Sequence, residues 1–530
     1  MGASNFIRCF IRCLRYKKDA NECTRNYKQL TLTFIPKGID RTPNFRNPSH
    51  LQTMKLATVL AITCLLTSAL RSADKPNIVF FFIDDLGWTD VGFMGSKYYE
   101  TPHVDKLASE GTIFHSAYAN APNCAPSRAC LMSGQYSSRH GIYTVGDPRR
   151  GNHALRKIEP IENKTVLEER FITIAESLGK NGYTCATMGK WHLGKDPTTQ
   201  GFHVNIAGRE WGSPSGGGYH SPYKYPNLVN PKPGEYLTDR LGEEACKFIQ
   251  KHKEKPFFLY LTHYTVHTPI QAKDELTKKY RDKPTHGGHV NAKYAAMIES
   301  MDDSIGAVLA KLEELELDDN TMVLFFSDNG GHGGVTSNAP LRGSKGMLYE
   351  GGIREPLVIK WPGVTKAGTT CHEPVIGVDL YPTFLEVTGA PAPKDYTLDG
   401  RSLVPLLKDA ESTLGREAIF WHFPCYLQGY TERHGPFRTT PGGAVRAGDW
   451  KLIEYFEDNS LELYNLANDI GEKNDLSKSE PEKTRELHKL LASWRKEVKA
   501  PVPTTPNPRY DPKAKTGKKD DKGKKPKKKS

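Results

Sequence analysis

Residues Asn77–Ile83 (NIVFFFI) form an unbroken apolar, β-prone run that stops abruptly at Asp84-Asp85. A strand with one wet face alternates apolar and polar residues, whereas a run apolar on both faces reads as a strand covered on both sides, the habit of parallel sheets flanked by crossover helices. Thr101-Pro102 then predicts a helix start, Val104, Leu107 and Ala108 give that helix an apolar face, and Gly111 ends it. The same order recurs: a strand over 183–188, a helix over 237–250, a strand over 257–261, a long helix over 291–315 and a strand over 322–326. This alternation predicts an α/β fold with a large, mostly parallel sheet flanked by helices. Beyond about residue 410 the texture shifts to short runs at 418–423, 443–447, 450–456 and 461–466, closed by an amphipathic stretch at 481–498. A smaller antiparallel sheet with one helix is expected over 411–500, beside a main domain over 74–410.

Charge explains the two ends. The net charge of +12 would suit a polyanion binder, but residues 1–53 and 511–530 each carry +7, leaving the 54–510 body at −2. A near-neutral body does not predict a nucleic-acid-binding face. Lys55, the apolar stretch 56–66 and the small residues up to Ala73 resemble a secretory signal over 54–73, too short for a comfortable membrane span. Export to the periplasm or the exterior is therefore expected, with 1–53 an upstream extension; the alternative is a genuine basic amino-terminal segment followed by an internal anchor helix. The prolines and lysine runs of 501–530 predict a disordered tail. Six cysteines beyond residue 73 (Cys124, Cys130, Cys185, Cys246, Cys371, Cys425) are too few for a disulfide scaffold.

In open α/β sheets ligands bind beyond the carboxyl ends of the strands. The apolar runs here release polar residues at that point: Asp84 and Asp85, Lys190 and His192, His263 and His267, Asp328 and Asn329. Any one carboxylate could be a turn or helix cap. Together Asp84, Asp85, Asp328 and Asn329 offer only oxygen donors, which suit a hard divalent cation such as Ca²⁺ or Mg²⁺. In Cys124-Ala125-Pro126-Ser127-Arg128, Pro126 suits the first turn of a helix running to about Ser133. Cys124 then sits at a helix N-terminus, where amides favour an anion, in surroundings that read as polar and cationic.

With Ser133-Gly134 following it, the Cys-Ala-Pro-Ser-Arg segment resembles the C-x-P-S-R signature of the type I sulfatases of the alkaline phosphatase superfamily, particularly the arylsulfatase and N-acetylgalactosamine sulfatase type. The resemblance covers about residues 75–500. Supporting segments stand in family order: Asp84-Asp85-Leu86-Gly87, Gly189-Lys190-Trp191-His192-Leu193-Gly194, His267-Thr268-Pro269, Ser327-Asp328-Asn329-Gly330, and Gly343-Ser344-Lys345-Gly346 through Arg354. Gln135 stands where the family often has Arg, and Gly201-Phe202-His203 replaces a common Gly-Phe-Asp.

The resemblance implies that a maturation enzyme oxidises Cys124 to formylglycine (3-oxoalanine), and that Asp84, Asp85, Asp328 and Asn329, with position 124, hold one Ca²⁺. It further implies that a hydroxyl of the hydrated aldehyde attacks sulfur to give a sulfated enzyme, His267 protonates the leaving alcohol, and His192 assists release of sulfate. Arg128, Lys190 and Lys345 are expected to hold the reacting oxygens. His203, His332, Arg342 and His422 are the candidate substrate contacts. The 201–223 loop (GFHVNIAGREWGSPSGGGYHSPY) looks pocket-lining and resembles sulfatases acting on galactose-type sugars. A sulfated sugar or aryl sulfate is the expected substrate. The alternatives are a phosphonate or phosphodiester hydrolase of the same superfamily and a non-catalytic carbohydrate-binding module.

Overall fold

Eight strands form the central sheet in the order β5-β4-β6-β1-β7-β8-β2-β9. In chain order the strands of the main body are β1 (Asn77–Ile83), β2 (Thr112–Phe114), β3 (Ala117–Tyr118), β4 (Thr184–Gly189), β5 (Val204–Ile206), β6 (Phe257–Thr262), β7 (Thr321–Ser327), β8 (Leu357–Lys360), β9 (Thr369–Cys371) and β10 (Val375–Ile376). These assignments come from a computed structural model that describes residues 75–229 and 231–514. The five strands from β5 to β7 are mutually parallel, β8 runs antiparallel to both β7 and β2, and β9 rejoins β2 in parallel.

The parallel half is where the continuous apolar runs lie, as burial on both faces demands. Val79, Phe81 and Ile83 point into one core with Leu241 and Ile249 of the helix Leu237–His252 and with Met297 and Met301 of the helix Ala292–Glu314. Ile78, Phe80 and Phe82 point into the other, with Phe384 of the helix Leu380–Thr388 and Leu131 of the helix Cys124–Ser133. All of these side chains are buried. The predicted helix at Pro102–Glu110 forms with Pro102 in its first turn; Thr101 stands at the N-cap, but its hydroxyl accepts from Gly92 N (2.8 Å) and donates to Asp105 Oδ1 (3.0 Å).

The C-terminal elements are β11 (Ile419–Phe423), β12 (Leu427–Thr431), β13 (Gly435–Thr439), β14 (Gly442–Ala447), β15 (Trp450–Tyr455), β16 (Ser460–Asn465) and the helix Pro481–Glu497. β11, β14, β15 and β16 make the expected antiparallel sheet, while the β12–β13 hairpin was not legible as a separate element. The described residues, 75–229 and 231–514, belong to one compact unit. A buried ionic network joins its two layers: Lys451 Nζ on β15 donates to Glu350 Oε1 (2.8 Å) and to Glu472 Oε1 (2.8 Å), and all three side chains are fully buried. Burial pushes the Glu350 carboxyl up, but Lys451, Arg354 and Arg446 reverse this and hold it at about 2.

The expected disorder from residue 501 is corrected for 501–514. Pro506 bridges Ile158, Asn507 Nδ2 donates to His153 O (2.8 Å) and Arg156 O (2.7 Å), and Glu159 N donates to Thr505 O (2.9 Å). These bonds satisfy irregular backbone on both segments, which a proline-rich composition alone does not reveal. The proposed extension 1–53, the signal 54–73 and the lysine-rich end lie outside the described residues. Among the described residues no helix is long and apolar enough to cross a membrane, and the six cysteines are all free.

Lys451→Met should destabilise the protein by about 3–5 kcal/mol, because it leaves buried Glu472 without its cation and Glu350 with only its weaker contact to Arg354. Adding Glu350→Gln should return part of that loss. Denaturant unfolding checks this, and a stability change within about 0.5 kcal/mol, the range of an ordinary surface substitution, would contradict it.

Candidate active site

Strand register brings the candidate residues together. Ile83 pairs with Ser327, Phe81 with Leu261, and Gly189 with Thr262, so β1, β7, β4 and β6 end in one row. Asp84, Asp328, Lys190 and His263 are the next residues along those four strands. Gly189 is required at its position: its φ is 109°, and a Cβ there would lie 1.9 Å from Thr262 O. Asp85 and His192 also adopt left-handed backbone, at φ 62° and 66°. Such conformations cost non-glycine residues energy and persist where the surroundings over-determine them.

Cys124 is the first residue of the helix Cys124–Ser133 and is 1% exposed. Its thiol donates to Asp84 Oδ1 at 3.3 Å and lies 3.7 Å from Asp85 Oδ1, while Lys345 Nζ donates to its Sγ at 3.3 Å. Lys190 Nζ sits 2.6 Å from Asp84 Oδ2, and Lys345 Nζ sits 2.5 and 2.7 Å from the two oxygens of Asp85. Arg128 Nε donates to Asp328 Oδ2 (2.8 Å), and its Nη1 donates to Lys190 O (2.9 Å) and to Thr262 Oγ1. Asp328 Oδ1 in turn accepts from Asp85 N (3.2 Å).

The environment of Cys124 differs from the polar, cationic one expected. Burial, then Asp84, push its thiol well up, against the pull of Lys190 and Lys345. Burial also pushes the Asp85 carboxyl up, but Lys345, His267 and Lys190 outweigh it and hold Asp85 well below the usual range. Asp328 rises to about 6 through burial, with Arg128 opposing and Asp84 reinforcing the rise. His192 is held well below its usual range by burial and by Lys190 and Arg128, and is neutral. His267 falls to about 3, mainly through burial; its Nδ1 lies 2.6 Å from Thr268 O and its Nε2 lies 3.7 Å from Asp85 Oδ2.

This arrangement suits a cation. One donor atom from each of Asp84, Asp85, Cys124 and His267 falls within 4.8 Å of the others. Asn329 donates through Nδ2 to Asp85 Oδ1 (2.9 Å), which leaves its buried Oδ1 with no partner. A buried amide oxygen without a hydrogen bond costs free energy, and a hard ion accepting this oxygen with Asp84 and Asp85 would relieve it. Asp328 stands beside this group, occupied by Arg128.

Cys124, His192, His267 and Lys345 line a cleft of about 660 Å³, into which the 201–223 loop contributes Trp211 and Gly212. Three candidate substrate contacts lie elsewhere. His203 is exposed, its Nδ1 accepting from Cys185 N (3.0 Å) at the sheet edge. Arg342 donates to Tyr464 Oη (2.9 Å) and Glu472 O (3.0 Å) and covers the Tyr349 ring. His422 is buried with Nε2 on Pro501 O (2.9 Å). Each is held by a structural bond. His332 is nearer, within the fields of Asp85 and Lys345, but its Nδ1 accepts from Gly334 N (3.1 Å) and it does not line the cleft. His263, also singled out by its position, is buried against Ser304 Oγ (3.3 Å). Sequence reasoning missed Arg150 and Arg438, which do line the cleft; they come from an irregular loop and from the unforeseen hairpin, with no motif around either.

Comparison with known proteins agrees with this geometry. Residues 76–390 match the sulfatase family and residues 344–498 match the N-sulphoglucosamine sulphohydrolase C-terminal family. The chain is 34% identical over 525 residues to a sulfatase of Formosa agariphila, covering 84% of this chain and 93% of that protein. It is 32% identical over 486 residues to the N-acetylgalactosamine-6-sulfatase of Homo sapiens, covering 83% and 88%. Among solved structures, Ps i-CgsB in complex with k-i-k-neocarrahexaose superposes with a TM-score of 0.66 at 31% identity, over 79% of this chain and 93% of that one. The phosphonate monoester hydrolase of Agrobacterium radiobacter, at 20% identity and a TM-score of 0.58, shares the fold. The chain belongs to the sulfatase family and is a sulfuric ester hydrolase.

Ca²⁺ should raise the thermal midpoint relative to protein in chelator. At about a hundredfold excess over Kd the linkage is about 2.7 kcal/mol, or a shift of a few degrees. Asp85→Asn should abolish the shift. A larger rise with Zn²⁺ than with Ca²⁺, or an undiminished rise in the variant, would contradict an oxygen-rich site built on Asp85.

Proposed function

We propose that this sulfatase cleaves sulfate esters of galactose-type or N-acetylgalactosamine-type sugars, using formylglycine at position 124 and one Ca²⁺. The observation that carries the reading is the placement of Cys124: first residue of its helix, at the cleft, within 3.3 Å of both Asp84 and Lys345. Sugar specificity rests on the relatives: the human protein is an N-acetylgalactosamine-6-sulfatase, and Ps i-CgsB is bound to a neocarrahexaose.

Asp84, Asp85, Asp328 and Asn329 would hold the ion, which supplies charge stabilisation to the sulfate oxygens and acidifies a hydroxyl beside it. As the hydrated aldehyde, position 124 supplies the nucleophilic hydroxyl. Lys190 and Lys345, already held by Asp84 and Asp85, present fixed ammonium groups to the sulfate and need no reorganisation when charge develops there. Arg128 acts at one remove: it pins Asp328 and the Lys190 carbonyl, and so orients both. His267 donates its Nδ1–H to Thr268 O, which directs an unprotonated Nε2 at the site; to act as the acid the ring first takes up a proton at Nε2, which an anionic sulfate bound beside it favours, and then passes that proton to the leaving alcohol. His192 lines the same cleft and is neutral, so it can accept a proton from position 124.

Cys124 is buried, so the maturation enzyme that oxidises it must reach the chain before the cleft forms. The main domain, 74–410, carries these groups, and the 411–500 subdomain adds part of the cleft wall. Export through the 54–73 segment is consistent with a carbohydrate substrate outside the cell.

Coexpression with a maturation enzyme should yield a peptide in which position 124 is an aldehyde rather than an alkylatable thiol, and the protein should release sulfate from 4- or 6-sulfated galactose or N-acetylgalactosamine. Cys124→Ala should abolish turnover. An active enzyme that retains the thiol would refute the nucleophile, and failure to cleave any sulfated sugar while cleaving phosphonate or phosphodiester esters would favour that alternative.

His267→Ala should reduce kcat/KM for sugar sulfates by about 10²–10⁴-fold, the usual worth of a general acid. An activated aryl sulfate, whose phenolate departs unaided, should lose at least an order of magnitude less. Equal losses on the two substrates would mean that His267 binds sulfate and the acid is another residue.

A further inference from the structure

The cleft is lined by three cations that the chemistry above does not use: Lys195, which is exposed and acts on Glu210, and two part-buried arginines, Arg150 and Arg438. Arg150, on the loop after the nucleophile helix, donates through Nη2 to Thr144 Oγ1 (3.1 Å) and Val145 O (2.8 Å), and its buried Nε has no partner. Arg438, on β13, donates through Nη1 only to Lys345 O (3.3 Å). Both are part-buried and both line the cleft. Arg149 pairs with Tyr426 at the foot of the hairpin, which ties the two segments together. Among the described residues neither guanidinium forms an ion pair, although cleft-lining Glu210 is an acid; it is held by Arg209 at 2.8 and 3.0 Å.

Two part-buried guanidinium groups that line one cleft and form no ion pair leave room for a counter-ion there. The sulfate to be cleaved does not meet this need, since Lys190, Lys345 and His267 already surround the nucleophile. Arginine's planar fork suits a carboxylate or sulfate, which offers oxygens in matching geometry. Resting on the sulfatase reading, we propose that Arg150 and Arg438 form a second anion subsite, so that the preferred substrate bears a further sulfate or carboxylate on the same or the adjoining sugar.

Three probes test this: N-acetylgalactosamine 6-sulfate, its 4,6-disulfate, and a disaccharide in which a uronic acid adjoins the 6-sulfated N-acetylgalactosamine. The mature enzyme should favour at least one doubly anionic probe in kcat/KM by about tenfold or more, the scale of one charge-assisted hydrogen bond. Preference for the disulfate assigns the subsite to sulfate, and preference for the uronate assigns it to carboxylate. Arg438→Gln should lose about tenfold more on the preferred dianion than on the monosulfate, and Arg438→Lys should keep part of the preference. Equal kcat/KM on all three probes, or equal losses in the variant, would overturn the subsite.

Arg150→Gln carries a risk of misfolding because the residue braces its own loop, so the Arg438 variants decide the matter. Calorimetric titration of the 4,6-disulfate and the uronate disaccharide into Cys124→Ala protein, with and without Arg438→Gln, gives a readout independent of turnover. A weaker Kd only for a dianion on removing Arg438 supports the subsite; identical Kd values refute it. Absence of sulfate release from every probe would remove 6-sulfated N-acetylgalactosamine from the substrates proposed above, and calorimetry would still decide the subsite.

Discussion

Everything at the site depends on keeping three carboxylates buried at the ends of two adjacent strands. Asp84, Asp85 and Asp328 are each 1% exposed or less, and burying an unpaired carboxylate costs several kcal/mol. Arg128, Lys190 and Lys345 offset them, so the cluster is balanced before any ion binds. A divalent cation on the same oxygens makes the balance positive, which favours an anionic ester. The cation and the sulfate are therefore expected to bind cooperatively, with the two lysines kept in place at the carboxylates.

The geometry that permits this belongs to the sheet. Parallel pairing with no slip between β1 and β7 fixes the spacing of Asp84 and Asp328 through backbone hydrogen bonds, and the two aromatic-rich cores make that register costly to shift. The C-terminal sheet contributes differently. Its Lys451 is anchored to Glu350 and Glu472, and the hairpin beside it brings Leu427 and Arg438 to the cleft. Chemistry thus comes from the rigid parallel strands, while part of the wall that meets the rest of the substrate comes from a layer docked by a buried ionic contact.

Legibility in the sequence followed the same division. Strands buried on both faces announce themselves as apolar runs, and the residues that leave them are fixed in place by register, so Asp84, Lys190 and Asp328 stand out from the amino-acid pattern alone; at β6 the residue that leaves the strand, His263, packs on Ser304, and it is His267, four residues on, that reaches the cleft. The glycines in those segments have a mechanical cause as well. A Cβ on Gly189 would strike Thr262 O, and one on Gly330 would lie 2.1 Å from Gly351 O, so the motifs record places where backbones touch. His203, Arg342 and His422 were misplaced because proximity to a motif along the chain says nothing about which way a loop turns. Short strands such as β2 and β9, and the β12–β13 hairpin, carry too few residues for periodicity to mark them.

The acidity of Cys124 shows where composition misleads most. Pro, Ser and Arg beside a cysteine suggest a cationic pocket that would favour a thiolate, yet Arg128 faces Asp328, and Sγ faces Asp84 and Asp85 with Lys345 opposite. A thiol in such a place is disfavoured as an anion by burial and by the neighbouring carboxylate. The unmodified side chain is therefore poorly suited to attack. Under the function proposed above, the same carboxylates, once they held a cation, would lower the penalty for an anion at position 124.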